Sequence, residues 1–239
     1  MRTRTFLSFL AACLCLSSAG HAQQPGEFRD QGGISSPLLS RCAGKFGSEL
    51  READNAFPLI TLMGVPWMTI ERTDQTIDGA HIVAIVSGTG ARNRRHGAVI
   101  ALRYRCLIDD KGEAVSFTST ERNDELLAAL VLRGAAAYRP KAQLAPGAEL
   151  RVQLFDQAAT PPALLTEAVV RSSWVDPIPF GLRLPQDLKL QGRKLVLDAR
   201  LSLGATTLYR LKQPLALDPD HLMRTVELTV DAVTPGAVQ

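Results

Sequence analysis

The stretch from Gly134 to Gln157 constrains the chain most, because two runs there flank a Pro146-Gly147 pair. In the second run Leu150, Val152 and Leu154 alternate with Glu149, Arg151 and Gln153. A period of two places the apolar set on one face and predicts a half-buried antiparallel strand. Pro fixes φ and Gly accepts φ > 0, so the pair predicts a turn and the whole stretch a hairpin-like unit. Further strands are predicted at roughly even spacing: Leu150 to Asp156, Leu164 to Ser172, Phe180 to Leu184, Lys194 to Leu203, Thr207 to Gln213 and Arg224 to Val233. Turns at Thr160-Pro161-Pro162, Asp176-Pro177, Gln191-Gly192, Gly204 and Asp218-Pro219 separate them. Short strands with regular punctuation indicate an antiparallel β-sandwich or barrel over residues 131–235.

The preceding residues 37–120 read as a small α+β domain. Pro37 to Ala53 is a predicted helix, with Ser36 as cap and Leu38, Leu39, Cys42, Phe46 and Leu50 on one broad face. Phe57 to Ile70 is interrupted by Pro58, Gly64 and Pro66, and reads as a loop leading into a short strand near Trp67 to Glu71. His81 to Ser87 and Ala98 to Ile108 are predicted strands. The latter sets Ile100, Leu102, Tyr104 and Cys106 against Ala101, Arg103 and Arg105. Asp109 to Gly112 is a hairpin turn leading to Ala114 to Thr118. Residues 121–130 read as a linker.

Met1 to Ala22 has the form of an export signal: Arg2 and Arg4, an apolar run from Phe6 to Leu16, then Gly20-His21-Ala22 before Gln23. The apolar run is too short to span a bilayer. Leu10-Ala11-Ala12-Cys13 also has the shape of a lipobox, with Cys13 as the lipidated residue, so a periplasmic product and an outer-membrane lipoprotein both stand as expectations. Residues 23–36 read as a flexible start to the mature chain. Without Arg2 and Arg4, the 27 Lys and Arg stand at 25 against 24 acids, a charge near +1. That argues against nucleic acid, which needs a clustered basic surface. Cys42 and Cys106 remain after the leader. An even pair in an exported chain is most simply a disulfide; two free thiols or a metal site are the alternatives.

The second domain carries a resemblance. Gly134 with Tyr138-Arg139, Leu144-Ala145-Pro146-Gly147-Ala148, the alternating strand Leu150 to Asp156, Pro177-Ile178-Pro179-Phe180, and Ala199-Arg200 before Gly204 are together similar to the YbaY/YscW family. The resemblance covers Val131 to Val233. It implies an exported bacterial β-sandwich, often lipid-anchored. The family's best-understood members resemble pilotins, which chaperone outer-membrane secretin subunits of type III secretion systems. The implied partner is therefore a secretin or another envelope subunit, and the resemblance brings no catalytic residue and no cofactor.

Read residue by residue, the candidate sites are few. Gly88 to Gly97 is the most charged loop. Arg92, Arg94, Arg95 and His96 there could hold an anion, with glycines letting backbone N–H groups approach, but the stretch links two strands where a phosphate loop would open a helix. His81, His96 and His221 lack paired ligand spacing, and no Gly-x-Ser-x-Gly elbow occurs. Asp109 and Asp110 read as turn formers. Trp67 and Trp174 are candidate anchors or core residues. Three readings follow: a protein-binding chaperone or assembly factor, a binder or inhibitor of small ligands, glycans or anions, and a hydrolase built from scattered His and Asp. The expectation is the first, a non-enzymatic protein.

Overall fold

The structure is a computed structural model that describes residues 35–53, 59–93, 99–122, 131–172, 176–185, 187–219, 222 and 224–233. It is mainly β, with one helix among the described residues. Helix α1 (Ser35–Ala53) starts two residues before the predicted helix. Leu39, Cys42, Ala43 and Phe46 are buried on its inner face, as the apolar spacing requires. Five strands follow: β1 (Leu59–Met63), β2 (Met68–Ile77), β3 (Ala80–Asn93), β4 (Val99–Asp109) and β5 (Ala114–Glu121). The remainder supplies β6 (Val131–Arg139), β7 (Glu149–Asp156), β8 (Ala163–Ser172), β9 (Ile178–Arg183), β10 (Leu195–Leu203), β11 (Thr206–Arg210), β12 (Leu215–Leu217) and β13 (Val226–Ala232).

All of these strands join one sheet in the order β5-β4-β3-β1-β8-β7-β10-β11-β13-β6-β9, with β2 on β3 and β12 on β10. Every pairing is antiparallel except β13 with β6, which is parallel. The sheet curls. Its inner face encloses a core of Leu150, Val152 and Leu154 (β7), Leu197 and Ala199 (β10), Leu132 and Ala136 (β6), and Phe180 and Leu182 (β9). A second core lies between α1 and the other end of the sheet, with Val86, Leu102, Tyr104 and Cys106 opposite Leu39 and Phe46. Leu59 and Met63 of β1 enter the first core, while Ile60 and Leu62 enter the second. Strand β8 divides in the same way, with Ala168 and Val170 on one side and Val169 on the other.

Burial on both faces, or exposure on both, explains where the sequence pattern misleads. β1 is buried along its whole length, so it shows no alternation and reads as loop. β2 runs to Ile77, well past the predicted Glu71, through exposed polar residues that carry no apolar signal. β3 continues to Asn93, so Gly88 to Asn93 are strand and not loop. A Cβ at Gly88 would lie 2.9 Å from the Trp67 carbonyl, and one at Gly90 2.6 Å from that of Thr61. These glycines let the β1–β2 corner press onto β3, a known use of glycine in strands.

The hairpin-like unit also takes another form. Pro146-Gly147 does turn, with Gly147 at φ 95°. The flanking strands do not pair with each other: β6 pairs with β13 and β9, and β7 with β8 and β10. Nor is β7 half-buried, since every one of its residues is buried.

Candidate functional site

The Cys42–Cys106 disulfide is present, with Cα atoms 5.9 Å apart and both residues fully buried. It ties α1 to β4. The Phe46 ring stacks on Phe117 at 4.3 Å between centroids, holding the same helix to β5. Arg41 pairs with Glu113 at the rim.

Nearer the start of α1, Ser40 reaches the polar face of β7. Ser40 donates a 2.5 Å hydrogen bond to Glu149 Oε1 and accepts one of 2.6 Å from Arg151 Nη2. Arg151 Nη1 and Gln153 Nε2 each donate to Glu167 Oε2 at 3.2 Å. Glu167 is 0% exposed, and its Oε1 has no hydrogen-bond partner among the described residues. Burial, with the Glu167 charge as a second cause, pushes the Tyr104 hydroxyl well above the usual phenol range. Arg171 lies under the helix at Gly44 and Gly47 and donates from Nη2 to the Gly147 carbonyl at 2.8 Å. Unsatisfied buried charge is costly, so this network fixes the seating of α1 on the sheet. The Glu within Leu164-Leu165-Thr166-Glu167-Ala168-Val169 was the signal available for it in the sequence.

A cleft lies at the opposite side of the β1–β2 corner. It has a volume of about 740 Å3, and its lining includes Pro66, Trp67, Leu164, Leu165 and Leu188 together with the charged Arg183, Asp187 and Arg193. The Trp67 indole N–H donates to the Arg183 carbonyl at 2.8 Å, and Thr166 Oγ1 donates to the same oxygen at 2.9 Å. These bonds bring β9 against β8 where the curled sheet meets itself. The Arg183 guanidinium sits 4.0 Å from the centre of the Trp67 ring. Arg193 is held by Asp156 Oδ2 at 2.8 Å and donates to the Lys189 carbonyl. Burial raises the Asp156 carboxyl, but hydrogen bonds from Ala158 N, Arg193 and Lys194 N outweigh it and hold the group below its usual range.

The basic segment singled out in the sequence is described only as far as Asn93. Arg92 is a β3 residue whose Nη2 pairs with Glu121 at 2.5 Å. Arg94, Arg95 and His96 lie outside the described residues, as do Cys13, Trp174 and His221. His81 bonds Asp74 at 2.8 Å, with Asp110 at 3.7 Å. Asp109 Oδ1 accepts the backbone N–H groups of Lys111 and Glu113, which is turn formation. Among the described residues no group of three or more His, Cys, Asp or Glu could hold a metal ion. No described helix is long and apolar enough to cross a membrane. Trp67, a candidate anchor or core residue in the sequence, lines this cleft and also rests on the core, but its pairing with Arg183, 116 residues away, had no local signal.

The fold therefore defines a disulfide-linked, mainly β protein built on one curled sheet. Residues 128–218 match the family described as "Type III secretion system lipoprotein chaperone (YscW)", so the YscW-like resemblance stands for that part of the chain. A solved structure of an alternative pilotin from the type II secretion system of Vibrio cholerae is 18% identical, with a TM-score of 0.39, covering 44% of this chain and 97% of that one. No curated protein matches significantly.

Proposed function

We propose that this chain is an exported bacterial envelope protein that binds another envelope protein as a chaperone or assembly factor, in the manner of secretin pilotins, and catalyses no reaction. The observation that carries the reading is the match of residues 128–218 to a lipoprotein-chaperone family. The fold adds physical support of a general kind: a rigid β scaffold with an open cleft suits binding, and function belongs to such sites and not to the fold itself. In this reading the unit from 131 to 235 is the binding unit, and the disulfide-linked residues 37–120 brace it. Cleavage after Ala22 delivers the chain to the periplasm, with lipidation at Cys13 as the route to an outer-membrane form. The partner is a secretin or another outer-membrane subunit.

The test is a crosslinking pull-down of the mature, disulfide-intact protein from its native envelope, read by mass spectrometry. Selective recovery of a secretin or other outer-membrane subunit is the expected result. Recovery of nothing selective from folded protein overturns the chaperone reading.

A further inference from the structure

We infer that the Trp67–Arg183 cleft is a docking site for an acidic segment of a partner polypeptide, in which a carboxylate side chain neighbours an apolar one. The argument starts from charge. Among the described residues, no carboxylate lies within ion-pair distance of the Arg183 guanidinium, whose central carbon sits over the Trp67 ring. Its Nε is closed off from solvent without an acceptor, while the residue as a whole is half-buried and lines the cleft. A guanidinium over an indole ring is held in place by the cation–π attraction, and its terminal amino groups can still take a carboxylate with two parallel hydrogen bonds. The other cation at the cleft, Arg193, already has Asp156. Arg183 is therefore the cation of this site that has no ion pair among the described residues, and Asp187 is the one acid that lines the cleft with it.

The floor supplies the apolar half. Leu164, Leu165 and Leu188 line the cleft beside Trp67, and Leu165, Leu188 and Trp67 rest on the main core. Their positions are thus set by packing. Trp67 is further fixed by its N–H bond to Arg183 O, so ring, cation and floor form before any partner arrives. A site of about 740 Å3 exceeds one side chain and suits a short segment. Trp67 lies outside residues 128–218, so the site is assembled from both parts of the chain. The inference shares with the proposed function only the idea of a polypeptide partner.

The experiment selects a display library of short random peptides on the disulfide-intact protein and measures the enriched peptides by titration. Enrichment of sequences with Asp or Glu beside an apolar residue is expected. Arg183→Gln then weakens their binding about tenfold or more, because a charged hydrogen-bonded pair is lost. Asp187→Asn, at an exposed lining position, strengthens binding by removing a negative charge that repels the acidic peptide. Arg133→Gln, outside the lining, changes nothing. Enrichment of acid-free apolar peptides, no enrichment, or indifference to both Arg183→Gln and Asp187→Asn overturns the inference. No secretin is used, so this test and the pull-down can fail independently.

Discussion

Gly64 and Glu167 share one space: a Cβ on Gly64 would lie 2.6 Å from the Glu167 Cδ and closer still to its Cγ. Their backbones are also joined, with Gly64 N donating to Glu167 O at 2.9 Å and Glu167 N donating to Val65 O at 3.1 Å. The β1–β2 corner is thereby pinned to β8, and glycine is what permits it. Gly64→Ala is expected to destabilise by about 1–3 kcal/mol, the cost of overpacking a closed site. Urea unfolding read at constant m-value checks this. An unchanged midpoint would show that the Glu167 side chain moves aside freely.

Arg151 carries the charge balance beneath α1. It faces Glu167 at 3.2 Å and Glu149 at 3.9 Å, and all three are buried. Arg151→Met leaves two carboxylates in a dry environment with no cation between them, an expected loss of about 3–5 kcal/mol. Ser40→Ala removes a hydroxyl and costs about 1 kcal/mol. Pairing Arg151→Met with Glu167→Leu should restore much of the first loss, because the orphaned charge goes with it. A double-mutant cycle in urea measures this coupling, and simple additivity of the two substitutions contradicts the network.

The sequence makes legible those elements with one wet and one dry face. β4 is the clearest case, since Leu102, Tyr104 and Cys106 are buried while Arg103 and Arg105 are exposed. The disulfide followed from the same logic, with Cys42 and Cys106 each on the apolar side of an element. β1 and β7 fail the rule for opposite reasons. β1 has no polar face to mark it, whereas β7 alternates but buries its polar face against Ser40 of α1 and Glu167 of β8. Alternation reports polarity and not exposure, and only tertiary packing tells the two apart. The non-pairing of β6 with β7 was likewise hidden, because a turn fixes local direction but not which layer each strand joins. The cleft is closed by bonds from Trp67 and Thr166 to the Arg183 carbonyl, the first between residues 116 apart, and no local pattern encodes them.

His81 gives the protein a pH dependence of known sign. The hydrogen bond that His81 donates to Asp74 raises its pKa above the ordinary value, against a smaller opposing effect of burial, and the charges of Asp74 and Asp110 add to the rise. The folded state therefore favours the protonated ring. Its contribution to stability is fully present below the unfolded histidine value of about 6.5 and fades as pH rises through the folded value. An NMR titration of His81 should show the elevated pKa. His81→Gln should remove the corresponding slope in urea midpoints above about pH 6.5. A slope that survives the substitution assigns it to another group.

The disulfide should matter most to α1 and least to the curled core. It closes a separation of 64 residues, for which loop-closure entropy gives about 4 kcal/mol. Replacing Cys42 and Cys106 together by Ala is expected to cost about that amount in a denaturant titration. The loss should not be spread evenly. α1 is held to β5 by the Phe46–Phe117 stack and to β7 through Ser40, whereas the first core is closed by strand pairing on every side of β7 and β10. Hydrogen exchange should therefore speed up in α1, β4 and β5 while the amides of β7 and β10 keep their protection. Equal loss in both regions would mean that the shared strands β1 and β8 couple the two cores into a single cooperative unit, and the binding cleft would then depend on the disulfide as well.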